Sequence, residues 1–473
     1  MKNIIIIGAG IAGEMLAKEI EYKYSLDYNI LCFLDDDNSK KIVANKEVLG
    51  NIKDIYTIID TYKSKNLIVD EIIIAIPTLE QKELLEVLNI VSKTKIKHKI
   101  VPGIFEIING NFSLKDIRNI EPSDFLGREE IGFDENEVYD FYRDKVVLVT
   151  GGGGSIGSEI VRQLITLPVA TVLALDHSES AIHTLLMSIS TNENKSKVKY
   201  IIASVLDDVK IENILKYYKV DIIFHAAAHK HLPFMEEYPE EAIKNNILAT
   251  ENIALLSIKN NIKHFVFVST DKAVRPTSLM GASKRICERI ITSLSLEQNT
   301  TSFRLTRFGN VLGSSGSVIP VFERQIREGR AITVTHPDMV RFFMSIREAA
   351  RLVIKSCTLD SGVIFTLDMG KPVKILDLAH NMLKMYGLTE EDIPIVYTGI
   401  REGEKLYEEI LMDDETLIPS KYQKLFIAED KTVQLSPKER KNMIEEFTLA
   451  SLHFDCKEKI KSLMRKYIEE YSG

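Results

Sequence analysis

The chain has 473 residues, with 60 Lys plus Arg against 68 Asp plus Glu, a net charge of −8, 45% apolar residues and 27% charged ones. At about 150 residues per domain this is three units or two large ones, long enough to bury its cores without disulfide or metal staples. Mild acidity excludes a general nucleic-acid binder, which carries a basic patch or stripe, but not a local anion site. Cys32, Cys287, Cys357 and Cys456 stand far apart, with no CxxC pair and no zinc spacing. That pattern predicts reduced thiols in a cytoplasmic protein and no metal site. No run reaches the roughly 18 apolar residues of a membrane span, so no integral membrane segment is expected. The start, Met1 to Gly8, faintly mimics a signal peptide. Gly8-Ala9-Gly10 and Glu14 interrupt it, and a buried strand is the better reading.

Taken in chain order, the apolar run Ile4 to Ile7 leads into Gly8-Ala9-Gly10-Ile11-Ala12-Gly13. Candidate strands follow at Ile30 to Leu34, Glu71 to Ile76 and His98 to Val101, with a helix over Leu79 to Lys93. This unit closes near Leu126-Gly127-Arg128, and an acidic, aromatic linker runs from Glu129 to Asp144. A second run, Val146 to Val149, leads into Thr150-Gly151-Gly152-Gly153-Gly154-Ser155-Ile156-Gly157. Strands are then expected near Lys145 to Val149, Thr171 to Leu175, Lys199 to Ile202, Asp221 to His225 and His264 to Val268. Continuous apolar runs bounded by turn signals suit strands of parallel sheets buried on both faces. The expected fold is therefore α/β, with two successive Rossmann-like doubly wound parallel sheets. The boundaries are a nucleotide-binding-type unit over 1–128, a linker over 129–144 and a catalytic unit over 145–473. In the catalytic unit the cofactor part spans about 145–300 and the substrate-binding region about 301–473. From Thr301 the pattern loosens into short elements, expected to lie over the carboxyl ends of the strands, where open α/β sheets bind ligands.

The second glycine cluster carries the stronger signal. Gly151 permits the tight turn, Gly154 lets the backbone approach a pyrophosphate, and Gly157 lets helix and strand pack closely. The free amides at Ser155 and Ile156 then face the anion. Asp176 ends the next strand, 19 residues beyond Gly157. A carboxylate there accepts bonds from ribose hydroxyls and repels a 2′-phosphate, which predicts NAD rather than NADP. The first cluster, with Asp35, Asp36 and Asp37 after its second strand, fits the fingerprint almost as well. No acid, base or nucleophile in a recognisable setting follows it, so a nucleotide site and a scaffold kept for assembly or regulation both stand.

The fifth strand runs out as Ser269-Thr270-Asp271-Lys272, and Met280 and Lys284 follow at a spacing of four, on one helix face. A hydroxyl, an acid and an amine at a strand's carboxyl end are placed for proton transfer. A Ser-Thr-Asp run there is also a common N-cap and turn. No tyrosine in the chain is followed four residues later by lysine. A thioether takes no proton, which disfavours a tyrosine-based alcohol dehydrogenase or epimerase mechanism.

These segments resemble the bacterial nucleotide-sugar C4,6-dehydratases of the capsular polysaccharide biosynthesis family, within the extended short-chain dehydrogenase/reductase superfamily. The resemblance runs through Thr150 to Gly157, Phe224 to His231, Asn245-Asn246, Ser269 to Val274 and Met280 to Lys284. It continues through Arg307 to Gly313, Thr335 to Met339 and Arg401 to Lys405. The Met-x-x-x-Lys version is similar to the branch that acts on UDP-N-acetylglucosamine and retains configuration at C5. The resemblance implies an internal NAD redox cycle in which hydride leaves C4, water is lost across C5 and C6, and hydride returns to C6. It makes Lys272 the base at C5, Asp271 the acid at the departing C6 hydroxyl, and Thr270 a partner of the C4 hydroxyl, with Met280 and Lys284 completing the catalytic set. For these roles Lys272 should be neutral and Asp271 protonated, and burial works in the right direction for each, since it disfavours either charged form. Lys284 and the nicotinamide charge are expected to lower Lys272 further. The acceptor of the C4 proton stays open, a water relay being one answer.

Ser204, Val205, Ala226, Ala227 and Ala228 are implied cofactor contacts, Ser204 standing where relatives carry an aspartate for the adenine. Lys230, in a cofactor-facing loop, is an expected substrate contact. Asn310 and Arg401 are assigned to the substrate phosphates, Glu404 to a ribose and Arg341 to the same cleft. Long members carry membrane helices ahead of the first unit, and this sequence has no such block. A homo-oligomer is implied by resemblance alone, and UDP and GDP sugars are not separated. Competing readings are a 4-epimerase or C5-inverting dehydratase on the same fold, and a non-enzymatic dinucleotide sensor.

Overall fold

The computed structural model describes residues 1–101, 117–122, 124, 132–133, 136–412, 415–429 and 435–473. The expected closing turn at 126–128 and part of the linker lie outside the described residues. The chain forms two compact units, one of residues 1–128, 321–334 and 376–396, the other of 129–320, 335–375 and 397–473.

The first unit is built on β1 (Lys2–Ile7), β2 (Tyr28–Leu34), β3 (Glu71–Ile74) and β4 (Lys97–Ile100), an all-parallel sheet in the order β2-β1-β3-β4. Alternate residues feed two cores. Ile5, Ile7, Cys32, Leu34, Ile72 and Ile74 face one, and Ile4, Ile6, Phe33 and Ile73 the other. Burial on both faces is why these strands read as unbroken apolar runs. Helix α1 (Ile11–Lys23) follows the first glycine cluster. A Cβ on Gly13 would lie 2.0 Å from the Gly8 carbonyl oxygen, so helix and loop touch there. Asp35 accepts from the Ala9 amide at 2.6 Å and from Lys40 at 3.0 Å.

The second unit carries β5 (Val146–Thr150), β6 (Thr171–Asp176), β7 (Val198–Ile202), β8 (Ile222–His225), β9 (His264–Val268), β10 (Ser302–Arg307), β11 (Ile364–Leu367), β12 (Thr416–Pro419) and β13 (Leu425–Glu429). They form one sheet ordered β12-β13-β11-β10-β9-β8-β5-β6-β7. Seven strands, β5 through β11, are parallel, and β13 and β12 add to the β11 edge antiparallel. Strand order reverses between β5 and β8, and that switch opens the crevice in which such sheets bind ligands. Val147, Val149, Ile222 and Phe224 supply one core, and Leu148, Ile223, Phe265 and Phe267 the other. Four segments of the region after Thr301 are strands of this sheet and extend it. The second half of the expected linker is a helix, Asn136–Tyr142, whose buried Tyr142 hydroxyl donates to the Ile354 carbonyl at 2.8 Å.

Helix α2 (Ser155–Leu164) follows β5, α3 (Ala249–Lys259) precedes β9, and α4 (Leu279–Glu297) follows it. A dry ionic network lies among β10, α4 and the approach to β12. Arg307, with no exposed side-chain surface, donates to both oxygens of Glu288 and both of Glu415, each at 2.7 Å. Ser269 donates to Glu288 at 2.6 Å, and Arg285 pairs with Glu288 and Glu470. Removing one partner of such a network strands the others' charge. Arg307→Leu should therefore cost about 3–5 kcal/mol in chemical denaturation. A loss below about 1 kcal/mol would contradict the network's role.

Candidate active site

The dinucleotide-type loop sits between β5 and α2. Gly151 has a φ of +65°, and a Cβ on it would lie 2.7 Å from the Ala227 amide nitrogen. A Cβ on Gly157 would lie 2.1 Å from the Gly151 carbonyl oxygen. Gly154 differs, because its only neighbour within 4 Å is Gly151 O at 3.2 Å. A Cβ at Gly154 thus meets less of the chain than one at Gly151 or Gly157 would. Gly154 is also the N-cap of α2 and supplies no side chain to its first amides, which lack intrahelical partners. Asp176 braces the loop, accepting from the Gly153 and Ser178 amides at 3.0 Å each. Each carboxylate oxygen keeps capacity for a further donor. Ser204 accepts from the Leu206 amide at 3.2 Å, which makes it a turn residue after β7, and Val205 is buried in the core. Ala226 to Ala228 follow β8, with the Ala226 amide donating to Thr150 O at 3.1 Å. Below them His225 is clasped between the Thr150 and Thr250 hydroxyls, and burial followed by the Lys284 charge drives its pKa to about 3. The loop set fits an anionic dinucleotide by its shape and by its unsatisfied amides.

At the carboxyl end of β9 the chain makes a single 3₁₀ turn, Asp271–Ala273, with Thr270 as its N-cap. The capping role and proximity to the site hold together. Thr270 Oγ1 accepts from the Lys272 amide at 3.4 Å and donates to Asp271 Oδ1 at 2.8 Å. The next helix packs tightly on this turn, since a Cβ on Gly281 would lie 2.3 Å from the Lys272 carbonyl oxygen. Lys284, on α4, donates to the Val268 carbonyl at 3.0 Å and lies 4.4 Å from the Phe267 ring centroid. Burial lowers its pKa to about 8. Met280 is buried against Met235 and Ala242.

The Lys272 ammonium is the hub. It donates to Asp271 Oδ1 at 3.1 Å, to Asn310 Oδ1 at 3.1 Å and to Glu408 Oε2 at 3.0 Å. Arg341 also reaches Glu408, Nε to Oε1 at 3.1 Å, and lies 3.5 Å from Glu404. Its guanidinium also donates to the Leu406 and Lys405 carbonyls at 3.2 and 2.8 Å. Asp271 has no exposed side-chain surface and Glu408 has 4%. Burial and then the Glu408 charge push Asp271 up to about 7, with Lys272 acting in the opposite sense. Burial also acts to raise Glu408, but the Lys272 charge, a hydrogen bond with Asp271 and the Arg341 charge prevail and hold it down at about 2. The proton of this carboxyl pair therefore sits on Asp271, whose one cationic contact among the described residues is Lys272.

The protonated acid was expected at Asp271, but a neutral resting Lys272 was not found. Burial does push Lys272 down, yet the Asp271 and Glu408 carboxyls outweigh it and hold the ammonium above the ordinary lysine range. The Arg341 charge acts with burial against them. Among the substrate candidates, Asn310 stands on Lys272 and Arg341 on Glu408. Glu404 accepts from the Arg401 amide at 3.2 Å, and Arg401 itself is exposed. Lys230, beyond β8, has its ammonium pushed down by its dense surroundings and then by Lys272. Glu408 is the residue that sequence reasoning missed. Its nearest signal was its place three residues beyond Arg401-Glu402-Gly403-Glu404-Lys405.

A seven-stranded parallel Rossmann sheet, a glycine loop at its switch point and an acid–amine pair at the end of the fifth strand define the class, the Rossmann-type short-chain dehydrogenase/reductase scaffold. Residues 147–430 match the family described as "Polysaccharide biosynthesis protein", and the chain belongs to it. Residues 1–102 match a model described as "CoA-binding domain". The chain is 41% identical over 430 residues to the capsular polysaccharide biosynthesis protein CapD of Staphylococcus aureus, covering 90% of this chain and 71% of that protein. It resembles the X-ray structure of Pen from Bacillus thuringiensis at a TM-score of 0.55 and 32% identity, over 64% of this chain and 98% of Pen. A UDP-N-acetylglucosamine 4-epimerase from Methanobrevibacter ruminantium, in complex with UDP-N-acetylmuramic acid, aligns at a TM-score of 0.50 and 27% identity, over 57% of this chain and 90% of the epimerase. Among the described residues, no helix is long and apolar enough to cross a membrane.

The two glycines separate packing from ligand binding. Gly157→Ala should destabilise the protein by about 1–3 kcal/mol, because its Cβ meets backbone. Gly154→Ala, whose Cβ would lie 3.2 Å from the Gly151 carbonyl oxygen, should cost less, about 1 kcal/mol, and should weaken ligand binding more than it weakens the fold. Thermal unfolding beside dinucleotide titration checks both.

Proposed function

We propose that the protein is a nucleotide-sugar 4,6-dehydratase that converts UDP-N-acetylglucosamine to a UDP-4-keto-6-deoxy-N-acetylhexosamine with C5 configuration retained, in bacterial surface polysaccharide or glycan synthesis. The observation that carries this reading is the pair at the end of β9, a buried carboxylic acid poised near neutrality beside a partly buried amine, 3.1 Å apart. Elimination of water needs those two groups, an acid for the leaving hydroxyl and a base for the proton next to a ketone. Membership of the polysaccharide biosynthesis family and likeness to an enzyme of UDP-N-acetylhexosamines support the substrate class.

The loop residues Gly151, Gly154, Ser155, Ile156 and Gly157 would hold the pyrophosphate of NAD, and Asp176 its ribose hydroxyls. Bound NAD supplies hydride acceptance from sugar C4 and hydride return at C6. The chain's own residues do the rest. Thr270 orients the C4 hydroxyl. Asp271 delivers its proton to the departing C6 oxygen, and water leaves. Lys272 takes the C5 proton and later returns a proton to the same carbon. Asn310 holds Lys272 in line. Arg401, exposed on its loop, is the cation offered to the diphosphate, and a planar guanidinium suits that ligand. Met280 carries no atom that accepts a proton, which weighs against epimerisation through a tyrosine-like base at that position.

Incubation with UDP-N-acetylglucosamine in deuterated water, without added cofactor, tests the reading. The expected product is a 4-keto-6-deoxy sugar carrying solvent deuterium at C5. An isomer of unchanged mass would make the protein an epimerase, and no reaction would favour a binding protein. Lys272→Ala should abolish the keto product, and near-normal turnover by that variant would remove Lys272 from its role. Because Asp271 must enter the cycle protonated, turnover should fall as pH rises past about 7, and a kcat–pH profile checks the sign.

A further inference from the structure

We propose that the edge of the first unit at which its strands begin is a docking surface for an anionic lipid bilayer. In a parallel sheet every strand starts at the same edge, and ligands are taken at the opposite one. The starting edge here collects residues 1–3, 24–28, 63–71 and 92–99, which lead out of the preceding helices and into β1 to β4. The inference uses no residue of the site described above.

Three of these segments each hold out an apolar side chain. Met1 is 77% exposed, Leu26 89% and Ile68 73%. Hydrogen bonds gather the three segments around the start of β1. The Lys2 amide donates to the Asp27 carbonyl at 2.7 Å, the Asn3 amide to Asp70 Oδ2 at 2.7 Å, and Asn3 Nδ2 to the Ile68 carbonyl at 2.8 Å. Tyr22, 86% exposed, stands in the last turn of α1, which runs out at the same edge. A single exposed apolar residue is ordinary, but several gathered at one edge mark a contact surface.

The same segments carry seven lysines against three acids, in a chain whose net charge is −8. One of those acids, Glu71, is buried on β3 and draws three lysines together, Lys99 at 3.2 Å, Lys2 at 3.8 Å and Lys97 at 3.9 Å. One carboxylate neutralises only one of these charges, and the Lys2 and Lys97 side chains remain more than half exposed. Lys63, Lys65 and Lys93 are exposed as well. The other opposing groups are Asp27 and Asp70 on the edge and Asp392, whose carboxylate lies within reach of the Lys95 charge. A positive surplus remains.

Apolar tips on separate turns, set among lysines, fit a lipid headgroup layer. The tips reach the acyl boundary while the ammonium groups meet lipid phosphates. A protein partner is held instead by well-packed anchors at the centre of a continuous interface.

Sedimentation of the full chain with lipid vesicles tests the proposal. Binding is expected to vesicles of phosphatidylcholine with phosphatidylglycerol, and should be at least about tenfold weaker to phosphatidylcholine alone. It should also fall in about 1 M salt, where charges are screened beyond about 3 Å. Lys65→Gln with Lys97→Gln leaves Glu71 its nearest partner, Lys99, and should weaken binding to the mixed vesicles about tenfold or more. Leu26→Ser with Ile68→Ser should weaken it by a similar factor, about tenfold. No sedimentation with the mixed vesicles overturns the proposal, and so does binding that either double variant leaves unchanged. Equal binding to the two vesicle types also overturns it, since lipid charge would then play no part. Self-association that Leu26→Ser with Ile68→Ser abolishes, without vesicle binding, would give the face to a second copy of the chain and overturn it too. Should the apolar variant not fold, the lysine variant decides, because it changes only exposed side chains. No substrate enters the measurement, so a missing keto product counts against the dehydration reading alone, and missing vesicle binding counts against this proposal alone.

Discussion

The second unit depends on one dry electrostatic constraint, the Arg307 guanidinium held between Glu288 and Glu415. Four contacts of 2.7 Å tie the end of β10 to the long helix α4 and to the approach to β12, with no side-chain surface exposed on any of the three. Charges in such a setting are tolerable only when every lone pair and proton finds a partner. Here Ser269 and Arg285 complete the set. Ser269 also precedes Thr270, so the network holds the chain just ahead of the Asp271–Ala273 turn. Glu288 accordingly stays ionised. Burial acts to raise it, and the Arg307 charge overcomes that and holds it below the usual range.

A few residues on, the same physics gives a different outcome. Asp271 is as dry as Glu288, but among the described residues it shares one ammonium with Glu408 and pairs with no guanidinium. Glu408 takes the larger share because Arg341 stands behind it. Burial then leaves the proton on Asp271. Two buried acids on neighbouring elements thus end in opposite states, one structural and ionised, the other protonated and available. The difference lies in the number and kind of cations each can reach. Pairs of acids driven apart in this way are a physical signature of acid–base sites.

Much of this was legible in the chain itself. The runs Ile4 to Ile7 and Val146 to Val149 are strands buried on both faces, where an unbroken apolar run is the local signature. Gly151 and Gly157 stand where a Cβ would strike backbone, so their spacing is a steric statement readable from sequence. The Thr270-Asp271-Lys272 run sits at the strand end that its apolar prefix indicated. The limits were equally physical. Strands β10 to β13 extend the sheet from a region that looked loose, because short strands with charged residues such as Arg307 carry little periodicity. Lys272 rests charged, because a carboxylate 136 positions away meets it.

What the sequence by itself determined is the local hardware, namely two βα series, the glycine loop with its acid, and the hydroxyl–acid–amine triplet that ends the fifth strand. These follow from residue size, apolar period and spacing over a few turns of chain. Only the tertiary structure decided the protonation of that triplet. Asn310, Arg341 and Glu408 arrive from three later segments, and no local pattern encodes which of them lands on Lys272. The reason is that pKa values depend on the charges and solvent within a few ångströms of a group. In a folded chain those neighbours are set by how distant segments pack, not by their order along it.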